Sequence, residues 1–426
     1  MTVAEDPAIA PTGAAAGAAT NAITECVGGI LAPAGFSAAG AAAGIKRSGR
    51  LDVCVIDAGR PVPAAAVFTR NTMAAPPVAW SREAVASGHL RAWVVNAGNA
   101  NACTGEQGAT DTRRMAEETA AALGCEPSDV AVASTGVIGV PLPMDVVSAG
   151  ITAATDALGS TRAHAADAAA AIMTTDTFAK EAACTVHAGD IRYTVGGIAK
   201  GSGMIMPDMA TMLAFLTTDA PLDAEACQAA LASAADATFN RITVDGDTST
   251  NDTCALMASG AAPGAPAAIT TTDPAYPAVA AAIRHVCATL ARMVVRDGEG
   301  ATTLVSVTVR GASSEQDAED AARTIAVSPL FKTAIFGRDA NWGRVAMALG
   351  NSRATIEPAL VDIVFAGIVT CARGEAVPFD EDAATEALAA SEVDVVVDLN
   401  LGEAEATVLT CDLTYEYVRI NGEYRT

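Results

Sequence analysis

The sequence predicts an α+β protein, a layered α/β fold whose sheets are buried between helices. Predicted strands and helices are mixed along the chain without the strict strand–helix–strand repeat of a purely parallel sheet. Hydrophobic residues make up 51% of the 426 residues and aromatic residues only 4%, so Ala, Val, Ile and Leu must form closely packed helices and buried strands. Charged residues make up 18%, which is too few for a disordered chain.

The N-terminal segment predicts an extension and not a targeting signal. Residues 1–24 are mostly Ala, Thr, Pro and Gly, so we expect a flexible extension over 1–27 and ordered structure from Gly28. The segment is acidic at Glu5 and Asp6, which is unlike a secretory signal peptide. No run of 18 apolar residues lacks Gly, Pro and charge, so no membrane span is predicted and we expect a cytoplasmic protein.

Apolar runs, turn residues and capping residues define the predicted elements. The predicted strands are 91–95, 129–133 (followed by a turn at 134–136), 191–198, 211–217, 301–309, 361–366, 392–399 and 405–419. The predicted helices are 110–123 (with Gly124 as its C-terminal cap), parts of 141–171, 221–237, 276–295 and 314–323. Segments 200–207 and 261–277 predict loops, because the first is rich in Gly and Met and the second in Pro and Thr.

The charge balance excludes several classes of partner. The chain has 26 basic and 49 acidic residues, a net charge of −23. Such a surface repels a phosphate backbone, so we expect no nucleic-acid binding. Docking on an anionic membrane is disfavoured for the same reason.

No metal or nucleotide motif is present. The ten cysteines form no CxxC pair and the four histidines are isolated, so no metal site is predicted. Asp245, Asp247 and Asp252 lack the spacing of a calcium loop and are interpreted as turn and cap residues. Phosphate-loop, GxSxG and HExxH motifs are missing as well.

The segment with a chemical signature is KGSGMIMPDMATML at 200–213, a Gly-rich loop that runs into a buried strand beginning at Thr211. A threonine hydroxyl is a weak nucleophile unless a base lies beside it. Cleavage of the chain before a threonine supplies that base, because the new α-amine has an ordinary pKa of about 7.7–8.0. The segment taken by itself also fits an ordinary loop-to-strand junction with a buried threonine.

Seven ordered strings extend this signature over the chain from about residue 28 to its end, and they resemble the ornithine acetyltransferase (glutamate N-acetyltransferase) family of arginine biosynthesis. Besides the segment at 200–213 the strings are VNAGNANACTG at 95–105, ASTGVIG at 133–139, TVDGDTSTNDT at 243–253, VRDGEGATTL at 295–304, KTAIFGRDANWGR at 332–344 and CDLTYEYVRINGEYRT at 411–426. One position departs from the family pattern, since Asp208 stands where Asn is expected.

The resemblance implies a fold and a maturation step. The family fold is an αββα sandwich that is similar to the N-terminal-nucleophile hydrolases but differs from them in topology. Self-cleavage between Ala210 and Thr211 is implied, which divides the protein into an α chain up to residue 210 and a β chain, 211–426. The α chain then has the extension 1–27 and an ordered part, 28–210. Two α and two β chains are expected to assemble as an α2β2 heterotetramer.

The resemblance also implies site residues, each of which has a plainer interpretation. Thr135 and Gly136 match the oxyanion pair, although Thr-Gly after a strand is also a common turn. The other matches are substrate contacts, namely Thr174, Lys200, Thr211, Glu299, Asn421 and Thr426. Taken singly, Thr174 fits a helix-end cap, Lys200 a solvated lysine and Glu299 an acidic hairpin tip, while Asn421 precedes Gly422 as in a hairpin turn.

The implied activity is ping-pong acetyl transfer from N2-acetylornithine to glutamate through acetylated Thr211, without a metal or organic cofactor. Whether acetyl-CoA is a second donor is left open. A self-processing amidase or peptidase that passes the acyl group to water is the alternative. A non-enzymatic amino-acid-binding protein is the third hypothesis, although it does not require the nucleophile or the oxyanion pair.

Overall fold

The computed structural model describes residues 22–206 and 212–423. In the first range the strands are β1 (Thr24–Glu25), β2 (Ser37–Ala41), β3 (Val53–Phe68), β4 (His89–Asn99), β5 (Val130–Val137), β6 (Lys180–Ala188) and β7 (Ile191–Lys200). The helices of that range are α1 (Pro76–Ala84), α2 (Gly105–Leu123), α3 (Met144–Asp156) and α4 (Arg162–Ala171).

The second range continues both series of elements. Its strands are β8 (Leu213–Thr218), β9 (Thr253–Ala258), β10 (Leu304–Ala312), β11 (Asp362–Phe365), β12 (Ile368–Ala372), β13 (Glu375–Ala376), β14 (Glu392–Asp398) and β15 (Ala404–Cys411). Its helices are α5 (Ala224–Ala237), α6 (Tyr276–Arg296), α7 (Glu315–Ala326), α8 (Pro329–Phe336), α9 (Trp342–Leu349), α10 (Glu381–Ala387) and α11 (Tyr415–Glu423).

The larger sheet has nine strands in the order β1-β6-β7-β8-β9-β3-β4-β5, with β2 also paired to β3. Strand β3 is 16 residues long and belongs to both halves of this sheet. Its first part pairs with β2 and β4, and its last five residues pair with β9. The register of β3 with β4 shifts between Asp57 and Val62, as in a β-bulge, just before the part that pairs with β9.

Successive residues of a strand point to opposite faces of the sheet, so one set packs between the two halves and the other set packs against the outer helices. Trp93 and Val95 face the central core, where the Trp93 ring lies 5.2 Å from that of Phe215 in the opposite half. Val94, between them, faces an outer core that contains residues of α2 and α3. Helices α5 and α6 cover the other outer face. The layers are therefore helix, sheet, sheet and helix, and the predicted αββα class is confirmed.

Strand β8 lies in the middle of the larger sheet and begins just after the gap in the described residues. It pairs antiparallel with β7, which precedes the gap, and parallel with β9. All six residues of β8 are buried. The two sides of the expected cleavage point therefore share one sheet and one core.

The six-stranded sheet forms a second unit in the order β13-β12-β11-β14-β10-β15. Its apolar face packs with residues of α7, α8, α9 and α10 in a separate core. Helix α6 also contacts the second unit, where Arg292 and Arg296 on its last turns form exposed ion pairs with Glu392 at the start of β14. Strand β15 leads from this sheet back toward the first unit and into α11.

Helix α6 is the helix in 22–206 and 212–423 that has the length and mean hydropathy of a membrane span, 1.5 over its most apolar window. Of that window, 56% is buried inside the protein. Its apolar stripe includes Val279, Ile283, Val286 and Leu290, which belong to the same core as β6 and β7. The hydropathy of α6 is thus accounted for by its packing on the sheet.

The structure corrects the predicted end of the chain. The predicted strand 405–419 is wrong beyond Cys411, because residues 415–423 form α11. β-branched and aromatic residues favour a strand locally, but tertiary contacts override that preference. The Thr414 hydroxyl accepts a hydrogen bond from the N–H of Glu416 at 3.1 Å, and the Tyr415 ring packs edge-on against Phe336.

Several other boundaries differ from those predicted; for example, α2 begins at Gly105 and not at residue 110. The predicted turn at 134–136 belongs to β5, because β4 continues beside it as far as Asn99 and keeps it paired. At the N-terminus, the described residues of the expected extension include β1, which pairs with β6 at Thr185 and Cys184. Residues 1–21 lie outside the described range.

Candidate active site

One cavity of about 160 Å³ lies where the ends of β5, β7 and α6 approach the start of β8. It is bounded by residues that are far apart in sequence, from both sides of the gap. Six of the residues predicted from the sequence line it: Thr135, Gly136, Thr174, Lys200, Glu299 and Asn421. Met212, which is bonded to residue 211, lines the same cavity.

Thr135 and Gly136 are held by the pairing of β5 with β4. Gly136 lies opposite Gly98, and the register shifts at Asn99, as in a β-bulge. Gly136 has φ +134°, and a Cβ there would lie 2.3 Å from the carbonyl carbon of Gly98. Only glycine fits this position, so the local backbone that presents Thr135 to the cavity is fixed by contact between two glycines.

Asn251 is a structural link that the sequence analysis missed. It is buried, and its side-chain amide donates to the carbonyl oxygens of Ala100 at 2.6 Å and Ser134 at 3.0 Å. The Thr250 hydroxyl in turn donates to the Asn251 side-chain oxygen at 2.6 Å. Asn251 thus joins the strand of Thr135 to the segment before β9. The position of Asn251 inside the block TVDGDTSTNDT is the sequence feature that could have identified it.

Lys200 ends β7 and is buried, unlike the solvated lysine of the plainer interpretation. Burial lowers the pKa of its ammonium group, while the Asp176 carboxylate opposes that shift. No carboxylate of the described residues lies within salt-bridge distance of Lys200, although other basic residues of the chain form such pairs. A buried ammonium group that lines a cavity is well placed to bind a substrate carboxylate.

A buried ion network lies behind Lys200. The Lys180 ammonium donates to Asp176 Oδ1 at 2.7 Å and to Asp297 Oδ2 at 2.5 Å, and the three side chains are almost inaccessible to solvent. Burial raises the pKa of Asp176, but the positive charges of Lys200 and Lys180 outweigh it and hold the pKa at about 2. Asp176 is therefore ionised at neutral pH and balances the two lysines.

The same network positions the segments that carry three predicted contacts. Asp176 accepts backbone N–H bonds from Thr174 at 2.8 Å and from Gly201, next to Lys200, at 2.7 Å. The Ser202 hydroxyl donates to the Asp297 carbonyl oxygen at 2.6 Å, and the Glu299 N–H donates to the Ser202 carbonyl oxygen at 2.9 Å. Thr174 lies in this loop after α4, not in a helix cap.

Glu299 and Asn421 form the opposite side of the cavity. The Asn421 side-chain amide donates to Glu299 Oε2 at 2.8 Å, so α11 lies against the turn after α6. A side chain at Gly300 would meet the N–H of Tyr417 at 2.6 Å, and one at Gly203 would meet the Glu299 carboxylate at 2.5 Å. The two glycines therefore permit this close approach, and the hairpin interpretation of Asn421 is wrong because it lies within α11.

Asp252 is a second cavity residue that the sequence analysis did not assign to the site. The N–H of Thr253 donates to the Met212 carbonyl oxygen at 3.0 Å, which places Asp252 beside the start of β8. Burial raises the pKa of Asp252 well above its ordinary value, and Ser249 and Lys200 only partly offset this. Its Oδ2 has no hydrogen-bond partner among the described residues.

Asp245 anchors the loop that leads into residues 207–211. Its carboxylate accepts N–H bonds from Met204 at 2.6 Å and from Ile205 at 2.8 Å. It also accepts the N–H of Asp247 at 3.2 Å, as expected of the turn residue predicted from the sequence. Burial raises the pKa of Asp245, and the three backbone donors oppose that rise.

Some predicted residues lie outside the described ranges. These are Ala210 and Thr211 at the expected cleavage point, Asp208 before it, and the C-terminal Thr426. None of the histidines lines the described part of the cavity. The structure also has no group of three or more His, Cys, Asp and Glu residues arranged to hold a metal ion within 22–206 and 212–423.

The layered fold and the cavity define an enzyme that acts on a small charged molecule, because hydroxyl, ammonium and carboxylate groups converge on one cavity. Comparison with known proteins specifies the family. A sequence model of the ArgJ family matches residues 37–426. The chain belongs to the ArgJ family, which confirms the resemblance found in the sequence motifs.

Relatives match nearly the whole chain. The arginine biosynthesis bifunctional protein ArgJ of Symbiobacterium thermophilum is 53% identical over 401 residues, which cover 94% of this chain and 99% of that protein. The protein of the same name from Geobacter sulfurreducens is 48% identical over 393 residues, or 92% and 99% of the two chains. A crystal structure of the Bacillus halodurans protein has a TM-score of 0.48 and 44% identity, and it covers 49% of this chain and 98% of that one.

Replacing Lys180 with Met is expected to lower the free energy of unfolding by about 3–5 kcal/mol, because two buried carboxylates lose their shared counter-charge. Arg114→Met, which breaks the exposed pair of Arg114 with Glu118, is the matched control and should change stability far less. Denaturant unfolding at neutral pH measures both variants. An equal effect of the two substitutions would contradict the structural role of the network.

The pH dependence of stability gives an independent check of that network. The low pKa of Asp176 contributes stability above its unfolded-state pKa of about 3.9, and this stability is lost as the pH falls toward 2. Without Lys180 the pKa of Asp176 rises, so the loss between about pH 5 and pH 2 should be less steep in the variant than in the wild type.

Proposed function

We propose that this protein is an N-acyltransferase of arginine biosynthesis, which moves an acetyl group from N2-acetylornithine to glutamate. The observation that supports it most directly is the convergence of six predicted site residues on one cavity beside Met212. The names of its relatives, arginine biosynthesis bifunctional proteins, agree with this activity. An assay that follows ornithine release from N2-acetylornithine, with and without glutamate, tests it.

Maturation comes first in the proposed sequence. The Thr211 hydroxyl attacks the carbonyl carbon of Ala210, the peptide C–N bond breaks, and an ester links the two chains. Water then hydrolyses this ester and leaves Thr211 as the N-terminus of the β chain. Because β7 and β8 stay paired in one sheet, the cleaved α and β chains remain associated.

Acetyl transfer then uses the new N-terminus. The α-amine takes the proton of the Thr211 hydroxyl as the oxygen attacks the acetyl carbonyl of N2-acetylornithine. The Thr135 hydroxyl and the Gly136 N–H stabilise the oxyanion, ornithine leaves with the proton, and acetyl-Thr211 remains. The amine of glutamate reverses these steps and leaves as N-acetylglutamate.

Charge complementarity explains how one cavity accepts both substrates. Donor and acceptor each carry an α-carboxylate, which the buried ammonium group of Lys200 binds. The Glu299 carboxylate, oriented by Asn421, attracts the free amine of ornithine. Thr174 and Thr426 complete the proposed substrate contacts.

Hydrolysis is the competing outcome for the acetyl-enzyme. Transfer requires that the acceptor excludes water from the ester. The buried positions of Lys200 and Asp252 around the cavity favour a site that selects an amino-acid acceptor. Acetate release that is fast and independent of glutamate would favour the amidase hypothesis.

The proposal extends to assembly, location and co-substrates. An α2β2 heterotetramer in the cytoplasm is proposed from the family resemblance, and native mass spectrometry of the purified protein tests the assembly. No metal or organic cofactor is required by the proposed steps. Acetyl-CoA is proposed as a second acetyl donor, because the relatives are named bifunctional.

Maturation is tested with Thr211→Ala. The wild-type protein should separate into two fragments on a denaturing gel, co-elute on native size exclusion, and give Thr-Met-Leu-Ala as the N-terminus of the second fragment. The variant should remain a single inactive chain of 426 residues, because the attacking hydroxyl is missing. A fully active wild-type protein that is never cleaved would contradict the proposed nucleophile.

The oxyanion pair is tested with Thr135→Ala. Loss of one oxyanion donor should lower turnover by about 10²–10³ while the fold is retained. Thr112→Val serves as a control of similar chemistry, because Thr112 is buried in α2 away from the cavity lining. Unchanged turnover in Thr135→Ala would show that this segment is only structural.

The pH dependence of turnover tests the base. The acidic limb should report an α-amine with an apparent pKa at or below about 7.7–8.0, since the positive charge of Lys200 disfavours the protonated amine. Lys200→Met should therefore shift the limb to higher pH. Asp208→Asn should shift it to lower pH if that carboxylate lies near the amine.

The histidines provide the control for this assignment. Each of His89, His164, His187 and His285, changed to Gln, should leave turnover within a few fold, because none of them lines the described part of the cavity. If one such change abolishes transfer while self-cleavage continues, a threonine–histidine pair must replace the proposed mechanism.

A further inference from the structure

A second and larger cavity adjoins the active-site cavity. Its volume is about 650 Å³, and it shares Thr174 and Thr175 with the first one. Its lining includes three cationic side chains from one loop and no carboxylate. These cationic residues are Lys46, Arg47 and Arg50.

The positive charge of the loop that carries Lys46, Arg47 and Arg50 (the cationic loop) is opposite in sign to the net charge of the chain. The protein has a net charge of −23 and only 26 basic residues. Arg47 and Arg50 are exposed, and neither forms a salt bridge with any residue in 22–206 or 212–423. An anion that enters this cavity therefore meets guanidinium groups that no carboxylate already neutralises.

The loop is held in a fixed shape. The buried Asp52 carboxylate accepts backbone N–H bonds from residues 43, 44 and 46 at 2.6, 3.0 and 2.9 Å. The Lys46 ammonium donates to the carbonyl oxygens of Leu51 at 2.5 Å and Ala171 at 3.1 Å. Burial lowers the pKa of Lys46 to about 8, and Asp52 opposes this shift. The arginines consequently project from a pre-organised segment.

The cationic loop also contacts the segment that separates the two cavities. Arg50 Nη2 donates to the Thr174 carbonyl oxygen at 3.3 Å. The rest of the second cavity is largely uncharged and in part apolar, with Ile45, Val137, Val140 and Pro141 in its lining. One part of the second cavity is therefore lined by cationic side chains. Another part is uncharged and reaches β5, the strand that carries Thr135 and Gly136.

We infer that this cationic cavity binds the phosphate groups of acetyl-CoA and directs the acetyl thioester past Thr174 and Thr175 to the active-site cavity. Arginine side chains are suited to phosphate, and the uncharged lining suits the pantetheine arm. The inference rests on the proposed acetyl-CoA route, and it adds the location of the donor site.

The transfer step from this donor balances with the groups already named. The Thr211 hydroxyl oxygen bonds to the thioester carbonyl carbon, and the C–S bond breaks. The α-amine accepts the hydroxyl proton and passes it to the departing thiolate. Coenzyme A leaves as a thiol, and acetyl-Thr211 is the same intermediate that N2-acetylornithine forms.

Arg47→Glu is the test variant, because this side chain makes no described contact that its loss would break. Arg353→Glu is the matched control: it makes the same charge change at an exposed position after α9 in the other unit. Calorimetric titration of the matured enzyme with CoA should show at least about fivefold weaker binding for Arg47→Glu and wild-type binding for the control. Added salt should weaken CoA binding in the wild type more than in Arg47→Glu.

Parallel assays separate the inference from the function on which it rests. Transfer from N2-acetylornithine to glutamate should stay within twofold of wild type in both variants, while the KM for acetyl-CoA rises in Arg47→Glu. Equal CoA affinity in all three proteins overturns the inference, as does binding of pyrophosphate without binding of CoA. Failure of wild-type transfer from N2-acetylornithine would overturn the proposed function, and the CoA titration would still decide the location of the site.

Discussion

The buried ion triad of Asp176, Lys180 and Asp297 is the interaction on which the site depends. It connects three chain segments that are distant in sequence: the loop after α4, the end of β7 and the turn after α6. Isolated charges could not be buried there, because desolvation disfavours them strongly. The requirement to neutralise Lys180 therefore fixes both carboxylates. Backbone bonds to the Asp176 carboxylate place Thr174 and the end of β7 with Lys200, and the bonds of Ser202 to the Asp297 carbonyl oxygen and the Glu299 N–H place Glu299 at the same cavity.

The second constraint is that the strands on either side of residues 207–211 are direct neighbours in the nine-stranded sheet. Strands β7 and β8 pair directly although the proposed cleavage lies between them, and β8 is buried from end to end. The proposed cleavage would remove one covalent bond, and the pairing of β7 with β8 and the central core do not depend on that bond. If the proposed cleavage occurs, β8 remains anchored by its neighbours β7 and β9.

Charge is distributed unevenly around this site, and the distribution suits two kinds of donor. The acidic chain presents a buried ammonium and a carboxylate in the first cavity, which match the α-carboxylate and the amine of an amino acid. The adjoining cavity presents cations without a lining carboxylate, which match phosphate. Both cavities meet at Thr174 and Thr175, so the two proposed donors would reach the proposed nucleophile by different entrances.

The sequence by itself determined the fold class, the family and which side chains belong to the candidate site. Apolar and turn patterns and the seven ordered motifs are local properties of the chain, so they can be recognised without a structure. Only the tertiary structure decided the environment of those groups. Lys200 resembles a solvated loop residue in sequence but is buried, and Asp252 resembles a turn residue but lines the cavity. The C-terminal segment has the composition of a strand and forms α11, since contacts with Phe336 and the turn after α6 outweigh its local preference. The burial of these side chains, the shifts of their pKa values and their convergence on one cavity arise from contacts between residues that are distant in sequence. No local sequence pattern encodes such contacts.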